Sequence, residues 1–154
     1  MPNQQITSLH SPQVERVKAL LHSRGKKIRK ETGEFVVDSY QAITTALGSK
    51  DKKYPVIIAL YSTEVGRRKL ENDGIAIPSD LDSYEVTPEV IAEMSEVETS
   101  QGLLAICTHQ ATPIEVLLGK GEKIAYFWQL QDPGNAGTVI RSADASGFTS
   151  VLFS

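Results

Sequence analysis

The feature that most constrains this chain is an apolar run that stops at a Pro-Gly pair and resumes as a helical pattern. The run from Ile124 to Leu130 predicts a buried strand. Pro133-Gly134 breaks it, and Asn135 is then predicted to be the N-cap of a helix that carries Arg141 on its second turn. Open parallel α/β sheets bind ligands at the carboxyl ends of their strands, so the free N–H groups at this helix start are predicted to face a ligand.

The residues before this segment alternate between helix-like and strand-like patterns. Ser11-Pro12 predicts the start of a helix that runs to about Ser23 and ends at Gly25, and the basic segment Arg24 to Lys30 is predicted to lie on a loop. Further helices are predicted at 39–47, from 63 onward and at 88–94, and strands at 34–37, 54–61, 75–77 or 84–86, and 103–108. This alternation predicts an α/β domain with a largely parallel or mixed sheet.

The charge of the chain is distributed unevenly. The net charge is −3, yet residues 1–30 hold seven basic residues and one acidic residue, and residues 71–119 contain no lysine or arginine. Local field rather than total charge governs contacts with phosphates, so the basic segment could bind RNA. A solvated helix end explains the same charge run equally well when that run is taken alone.

The composition argues against several other classes of protein. Cys107 is the only cysteine, so no intramolecular disulfide can form, and its apolar surroundings predict a buried, inert thiol. No apolar run approaches the roughly 20 residues that span a bilayer. The polar start of the chain does not resemble a secretory signal, which makes the cytoplasm the expected location.

Other candidate sites are weak. His10, His22 and His109 lack metal-ligand spacing, so no metal site is expected. Glu96 and Glu98 form an improbable acid-base pair, and neither a phosphate-binding glycine fingerprint nor a hydrolase triad context is present. Trp128 is predicted to lie in the core.

The Pro-Gly segment closely resembles the first signature motif of the SpoU (TrmH-like) RNA ribose methyltransferases of the SPOUT superfamily. The residues that match the motif are Asp132, Pro133, Gly134, Asn135, Gly137, Arg141, Ala143, Asp144 and Ala145. Looser similarity covers 6–9, 33–38 and 98–105, with Asp38-Ser39 where the family usually has Glu-Gly and Ser100 where it commonly has Pro. The similarity therefore spans nearly the whole chain.

The resemblance implies a domain organisation and an activity. Residues 1–108 would form a ribosomal-protein-like α/β domain that binds RNA, 109–121 a linker, and 122–154 the first strand-helix-strand of a trefoil-knot methyltransferase domain. Two further family motifs are not found, so the chain is expected to be part of a longer, homodimeric enzyme, with its S-adenosylmethionine-binding residues beyond Ser154. That enzyme would methylate a ribose 2′-hydroxyl of rRNA or tRNA, and this part alone would bind the cofactor weakly.

The resemblance also assigns roles to residues. Arg141 would be catalytic and Asn135 a helper near the reacting ribose. Because a guanidinium keeps its proton, Arg141 would act as a bidentate clamp on a substrate phosphate and would raise the acidity of the adjacent 2′-hydroxyl. The predicted RNA contacts are Arg16, Arg24, Lys26, Lys27, Arg29 and Lys30.

Three alternatives stay open at this point. Arg141 could simply pair with Asp144 on the same helix, and Asn135 with Gly137 could be a structural cap and turn. The chain could be a non-catalytic RNA-binding module with a remnant of the motif. It could also be an α/β protein that binds a small molecule or nucleotide. Such a protein would lack the salt-sensitive RNA binding that is expected of the methyltransferase and of the RNA-binding module.

Overall fold

A computed structural model describes residues 4–22, 25–48, 56–96, 100–108, 113–118 and 123–154. The chain divides into two compact units, unit 1 with residues 1–110 and unit 2 with residues 111–154. The predicted boundaries at 108 and 121 stay a prediction; residues 113–118 of the predicted linker contain a short helix.

Unit 1 alternates strands with helices, as the sequence predicts. Its elements are β1 (Gln4–Ile6), α1 (Pro12–Leu21), α2 (Gly25–Thr32), β2 (Glu34–Val37), α3 (Tyr40–Gly48), β3 (Val56–Ser62), α4 (Glu64–Asn72), β4 (Asp82–Val86), α5 (Pro88–Met94) and β5 (Leu103–Thr108). Local chemistry sets three of the helix starts. The side chains of Ser11, Thr63 and Thr87 accept hydrogen bonds from the third residue of α1, α4 and α5, and proline opens two of these helices.

The five strands of unit 1 form one mixed sheet in the order β1-β4-β3-β5-β2. β4 pairs in parallel with both β1 and β3, whereas β5 is antiparallel to β3 and β2. The predicted α/β class with a parallel or mixed sheet is therefore confirmed. Strand β1 was not predicted, since three residues are too short for a recognisable pattern.

Two layers of helices cover this sheet. Side chains of α1 and α5 pack on one face, against Tyr61 of β3 and Leu104 of β5, while Ile43 of α3 and Leu70 of α4 pack on the other, against Leu60. Consecutive strand residues thus point to opposite cores, as strand geometry requires. Cys107 is buried in the second core, as predicted, and burial raises the pKa of its thiol to about 11.

Unit 2 contains α6 (Ile114–Leu118), β6 (Ile124–Phe127), α7 (Pro133–Ala145) and β7 (Ser150–Phe153). β6 and β7 are parallel, and α7 connects them. Helix α7 ends in a Schellman arrangement: Gly147 takes a φ of +74°, and the N–H of Phe148 donates to the carbonyl of Ala143. Ala143 is the only buried residue among those described in this unit.

The structure corrects several local predictions. The basic segment, where described, is not a loop but helix α2, and Gly25 begins that helix. A Cβ at Gly25 would lie 2.4 Å from the carbonyl oxygen of Ala19, so the glycine permits close packing of α2 against α1. Strand β6 ends at Phe127 rather than Leu130, and of the two proposed strands at 75–77 and 84–86 only the second forms.

Candidate functional site

The start of α7 is capped by Asp132, and the prediction of Asn135 as the N-cap is wrong. Asp132 is extended (φ −90°, ψ 119°), and its Oδ1 accepts hydrogen bonds from the N–H groups of Gly134 at 2.6 Å and Asn135 at 3.2 Å. Pro133 occupies the first helical position, where its fixed φ suits the helix, and it disfavours helical geometry at the residue before it. Asn135 therefore lies in the first turn, exposed.

This cap changes what the helix start offers to a ligand. The carboxylate of Asp132 occupies two N–H groups, and its carbonyl accepts the N–H of Ala136 at 3.0 Å. A negative charge already lies at the positive end of the helix, so a phosphate is disfavoured there. The prediction that the N–H groups at this helix start are free is therefore wrong for Gly134 and Asn135, and the positive charge of the motif rests on Arg141.

Arg141 is exposed and leans toward the start of α7. Its Nη2 donates to the Oγ1 of Thr138 at 3.3 Å, and its Nη1 would lie 3.5 Å from a Cβ at Gly137, so the glycine leaves open space beneath the guanidinium. Among the described residues Arg141 has no ion-pair partner, and the alternative pair with Asp144 does not form. Most of its five N–H donors are available to a ligand.

Asn135 and Arg141 are not brought together by the helix itself. Six residues separate them, which is about 9 Å along the axis and about 120° around it. A single phosphate held by Arg141 would lie beside Gly137 and Thr138 rather than over Asn135. Thr138, which sequence reasoning missed, is the polar neighbour that orients the arginine, at the three-residue spacing that puts side chains on one helix face.

Trp128 lies on the surface of unit 2, so its predicted burial is wrong. Its side chain is 70% exposed and meets Tyr126, 55% exposed, edge to face with ring centroids 6.4 Å apart. No described residue of this unit covers that face of β6. Gln129 follows at φ +50°, and its N–H donates to the carbonyl of Ser154, so the chain turns out of the strand here.

The predicted RNA contacts of unit 1 fall into two groups. Arg16 pairs with Glu34 at 2.8 Å, and the half-buried guanidinium of Arg29 donates to the carbonyl of Leu20. Lys26, Lys27 and Lys30 are exposed on α2. Lys27 lies 3.9 Å from Glu31, and the other two lysines have no ion-pair partner in the described part of the chain. Arg24 lies outside the described residues.

The remaining candidates are the three histidines and the Glu96–Glu98 pair. In the parts of the chain that the structure describes, no cluster of His, Cys, Asp and Glu could hold a metal ion, and no helix is long and apolar enough to cross a membrane. His10 and His22 are exposed. His109 and Glu98 lie outside the described residues.

Comparisons with known proteins agree with this architecture. Residues 12–105 match the family described as the MRM3-like substrate binding domain. The chain is 30% identical over 151 residues to the 23S rRNA (guanosine(2553)-2′-O)-methyltransferase RlmP of Bacillus subtilis, a match that covers 96% of this chain and 54% of that protein. A crystal structure of an AdoMet-bound rRNA methyltransferase from Sinorhizobium meliloti superposes with a TM-score of 0.71 at 25% identity, over 97% of this chain and 53% of that one.

The superposition on the AdoMet-bound rRNA methyltransferase covers 97% of this chain, so it includes residues of both units. The chain belongs to the MRM3-like substrate-binding domain family, and its likeness to SpoU (TrmH-like) enzymes is confirmed. It spans about half the length of the curated relatives it matches.

Proposed function

We propose that the whole protein transfers a methyl group from S-adenosylmethionine to a ribose 2′-hydroxyl of rRNA or tRNA. The observation that carries this proposal is the exposed guanidinium of Arg141, unpaired among the described residues, within a segment that matches the SpoU motif. The names of the relatives support the same reaction, and they favour an enzyme over a non-catalytic RNA-binding module.

Arg141 would act on the RNA rather than on a proton. A guanidinium keeps its proton at any working pH, so Arg141 is unsuited to be the general base. Two parallel N–H donors can grip the phosphate next to the target ribose, and the positive charge then stabilises the developing 2′-oxyanion. The exposed amide of Asn135, about 9 Å nearer the start of α7, would contact a neighbouring group of the bound RNA.

The cofactor supplies the methyl group when it is bound. The described residues of unit 2 form two strands and two helices with only Ala143 buried, and by themselves they do not enclose a molecule of that size. None of the described residues is proposed to hold the cofactor. The contribution of this chain lies on the RNA side of the reaction.

The proposal includes RNA as the macromolecular partner, a homodimeric whole protein and a cytoplasmic location. The basic helix α2 supports the first, and the likeness to SpoU enzymes supports the second. A single buried thiol fits a reducing compartment, where structural disulfides are rare.

The test compares Arg141→Ala with Arg141→Lys in the whole protein. Transfer of a radiolabelled methyl group from S-adenosylmethionine to ribosomal RNA should fall at least about 10²- to 10³-fold for alanine, because one charge-stabilising donor is lost. Lysine should restore little activity, since it lacks the planar fork. Arg68→Ala, which removes an exposed arginine on α4, is the control and should stay active. A fully active Arg141→Ala variant would remove Arg141 from the mechanism.

A further inference from the structure

The basic helix α2 is fixed to the rest of unit 1 by one of its own cations. Arg29 reaches back to the carbonyl of Leu20 in the last turn of α1, where the partial negative charge of the helix end favours a guanidinium. Gly25 is buried at the same junction, and a Cβ there would lie within 2.9 Å of Arg29 itself. One side of α2 is therefore committed to packing.

The opposite side of α2 carries only long polar side chains. At 100° per residue, Lys26, Lys30 and Lys27 fall within about 100° of the helix surface, whereas Gly25 and Arg29 lie on the packed side. Lys27 and Glu31 are 82% and 62% exposed at 3.9 Å, an ion pair that solvent screens. Lys26 and Lys30 are one turn apart, with no ion-pair partner among the described residues.

We infer that the outer face of α2, formed by Lys26, Lys27 and Lys30, is the surface that grips the RNA backbone, and that Arg29 and Arg16 serve the fold instead. This inference rests on the proposed function. It divides a basic cluster that the sequence presents as one group, since Arg16 is committed to Glu34 and Arg29 to Leu20.

The chemistry of this face indicates how it would bind. Lysine ammonium groups contact phosphates as point charges, and no aromatic side chain on α2 offers a platform for a base. Such contacts fix the position of an RNA without reading its sequence. Helix α2 should thus hold many RNAs equally well and leave the choice of nucleotide to other parts of the protein.

Salt dependence separates the two roles. Each phosphate contact contributes about 0.7–0.9 to the slope of log affinity against log salt concentration. Binding of a fluorescein-labelled RNA stem-loop of arbitrary sequence to the full chain should lose about 1.4–1.8 of slope in the Lys26→Gln/Lys30→Gln variant. Between about 50 and 200 mM salt, the fold change in affinity should shrink by about 7- to 12-fold.

The matched control is Arg68→Gln/Lys69→Gln, which removes two positive charges from α4 on the other face of the sheet. Its slope should equal that of the unaltered chain. Equal losses in both double variants would overturn the inference, as would an unaltered chain that binds no RNA. The methyl-transfer assay of the whole protein tests the proposed function separately, so the two can fail independently.

Arg29 is tested as a positioning residue. Arg29→Gln should keep the full salt slope while the thermal midpoint falls by several degrees and affinity falls at every salt concentration, because α2 is no longer fixed to α1. Arg29→Lys, which can still donate to the Leu20 carbonyl, should recover most of the affinity. A slope reduced by one phosphate contact in Arg29→Gln would place Arg29 on the RNA instead.

Discussion

In unit 1 the apolar side chains at the centre of the sheet are almost completely buried on both faces, whereas in unit 2 the strands and helix form with their apolar side chains only partly buried or exposed, apart from Ala143. Leu60 and Leu104 of unit 1 are fully buried, but Ile140 of α7 is 46% exposed and Phe153 of β7 is 45% exposed. Hydrogen bonds and caps are as regular in unit 2 as in unit 1. Regular secondary structure and a completed core are thus separate properties.

The two units also place their candidate functional side chains differently. The exposed lysines of unit 1 lie on α2. The other side of this helix packs against α1, and this packing fixes the positions of the lysines. Arg141 lies on a helix that is capped by Asp132 and connects the two short paired strands β6 and β7, and Thr138 of the same helix orients the arginine. Tyr126 and Trp128 stay exposed, although the apolar strands of parallel sheets are normally covered on both faces.

The largest expected difference between the units comes from removing one apolar side chain from each. Leu104→Ala should lower the free energy of unfolding of unit 1 by about 2–5 kcal/mol, because it empties space between the sheet and α1. Ile140→Ala should cost less than about 1 kcal/mol. Urea unfolding followed by circular dichroism and by the fluorescence of Trp128, the single tryptophan, measures both. Equal costs would mean that unit 2 has a core of its own.

A second difference is the response to alkali. Burial raises the pKa of Cys107 from 9.0 to about 11, so the folded chain keeps the thiol proton over a pH range in which the unfolded chain has lost it. The resulting stability is fully present below about pH 9 and is lost as the pH rises to about 11, an effect of about 2–3 kcal/mol.

Urea unfolding of the chain and of Cys107→Ala at about pH 8 and about pH 11 measures this effect. The pH-dependent loss should be smaller in the variant by the stated amount. Unit 2 contains no cysteine, so the transition seen by Trp128 fluorescence should not differ between the two proteins. The same pH-dependent loss in both proteins would contradict the assignment to Cys107.

What the sequence predicts well is what adjacent residues decide. Thr63, Thr87 and the Ser11-Pro12 pair cap helices through contacts within three residues, and the apolar run Leu103–Thr108 is a strand along its whole length. The segment that resembles the first SpoU motif is equally local, so Arg141 could be singled out from the sequence. The Asp-Pro pair before it could also have identified Asp132 as the cap, because proline favours the first helical position.

What the sequence misses depends on distant partners. Helix α2 forms although it starts with glycine, because Gly25 packs against carbonyls of α1. The ion pair between Arg16 and Glu34 joins residues eighteen positions apart, and no pattern in the basic segment predicts it. Trp128 has a core-like sequence context but an exposed side chain, since burial is a property of its neighbours in space.

The smallest expected effect concerns backbone strain, which the two units also handle differently. In the described part of unit 1 the residues at positive φ are glycines, among them Gly102 at the start of β5, whereas unit 2 places Gln129 at φ +50°. A left-handed residue with a side chain costs about 1–2 kcal/mol relative to glycine.

Gln129→Gly should therefore raise the free energy of unfolding of unit 2 by about 1 kcal/mol. The urea midpoint measured by Trp128 fluorescence should rise accordingly. Gln129→Val should lower it, because a branched side chain is strained in this conformation. Gln131→Gly is the matched control, since the same substitution two residues away removes no positive-φ strain and should give no gain. If Gln129→Gly did not raise the free energy of unfolding, the backbone at Gln129 would not be strained. The turn before α7 would then be no more costly than the glycine turns of unit 1.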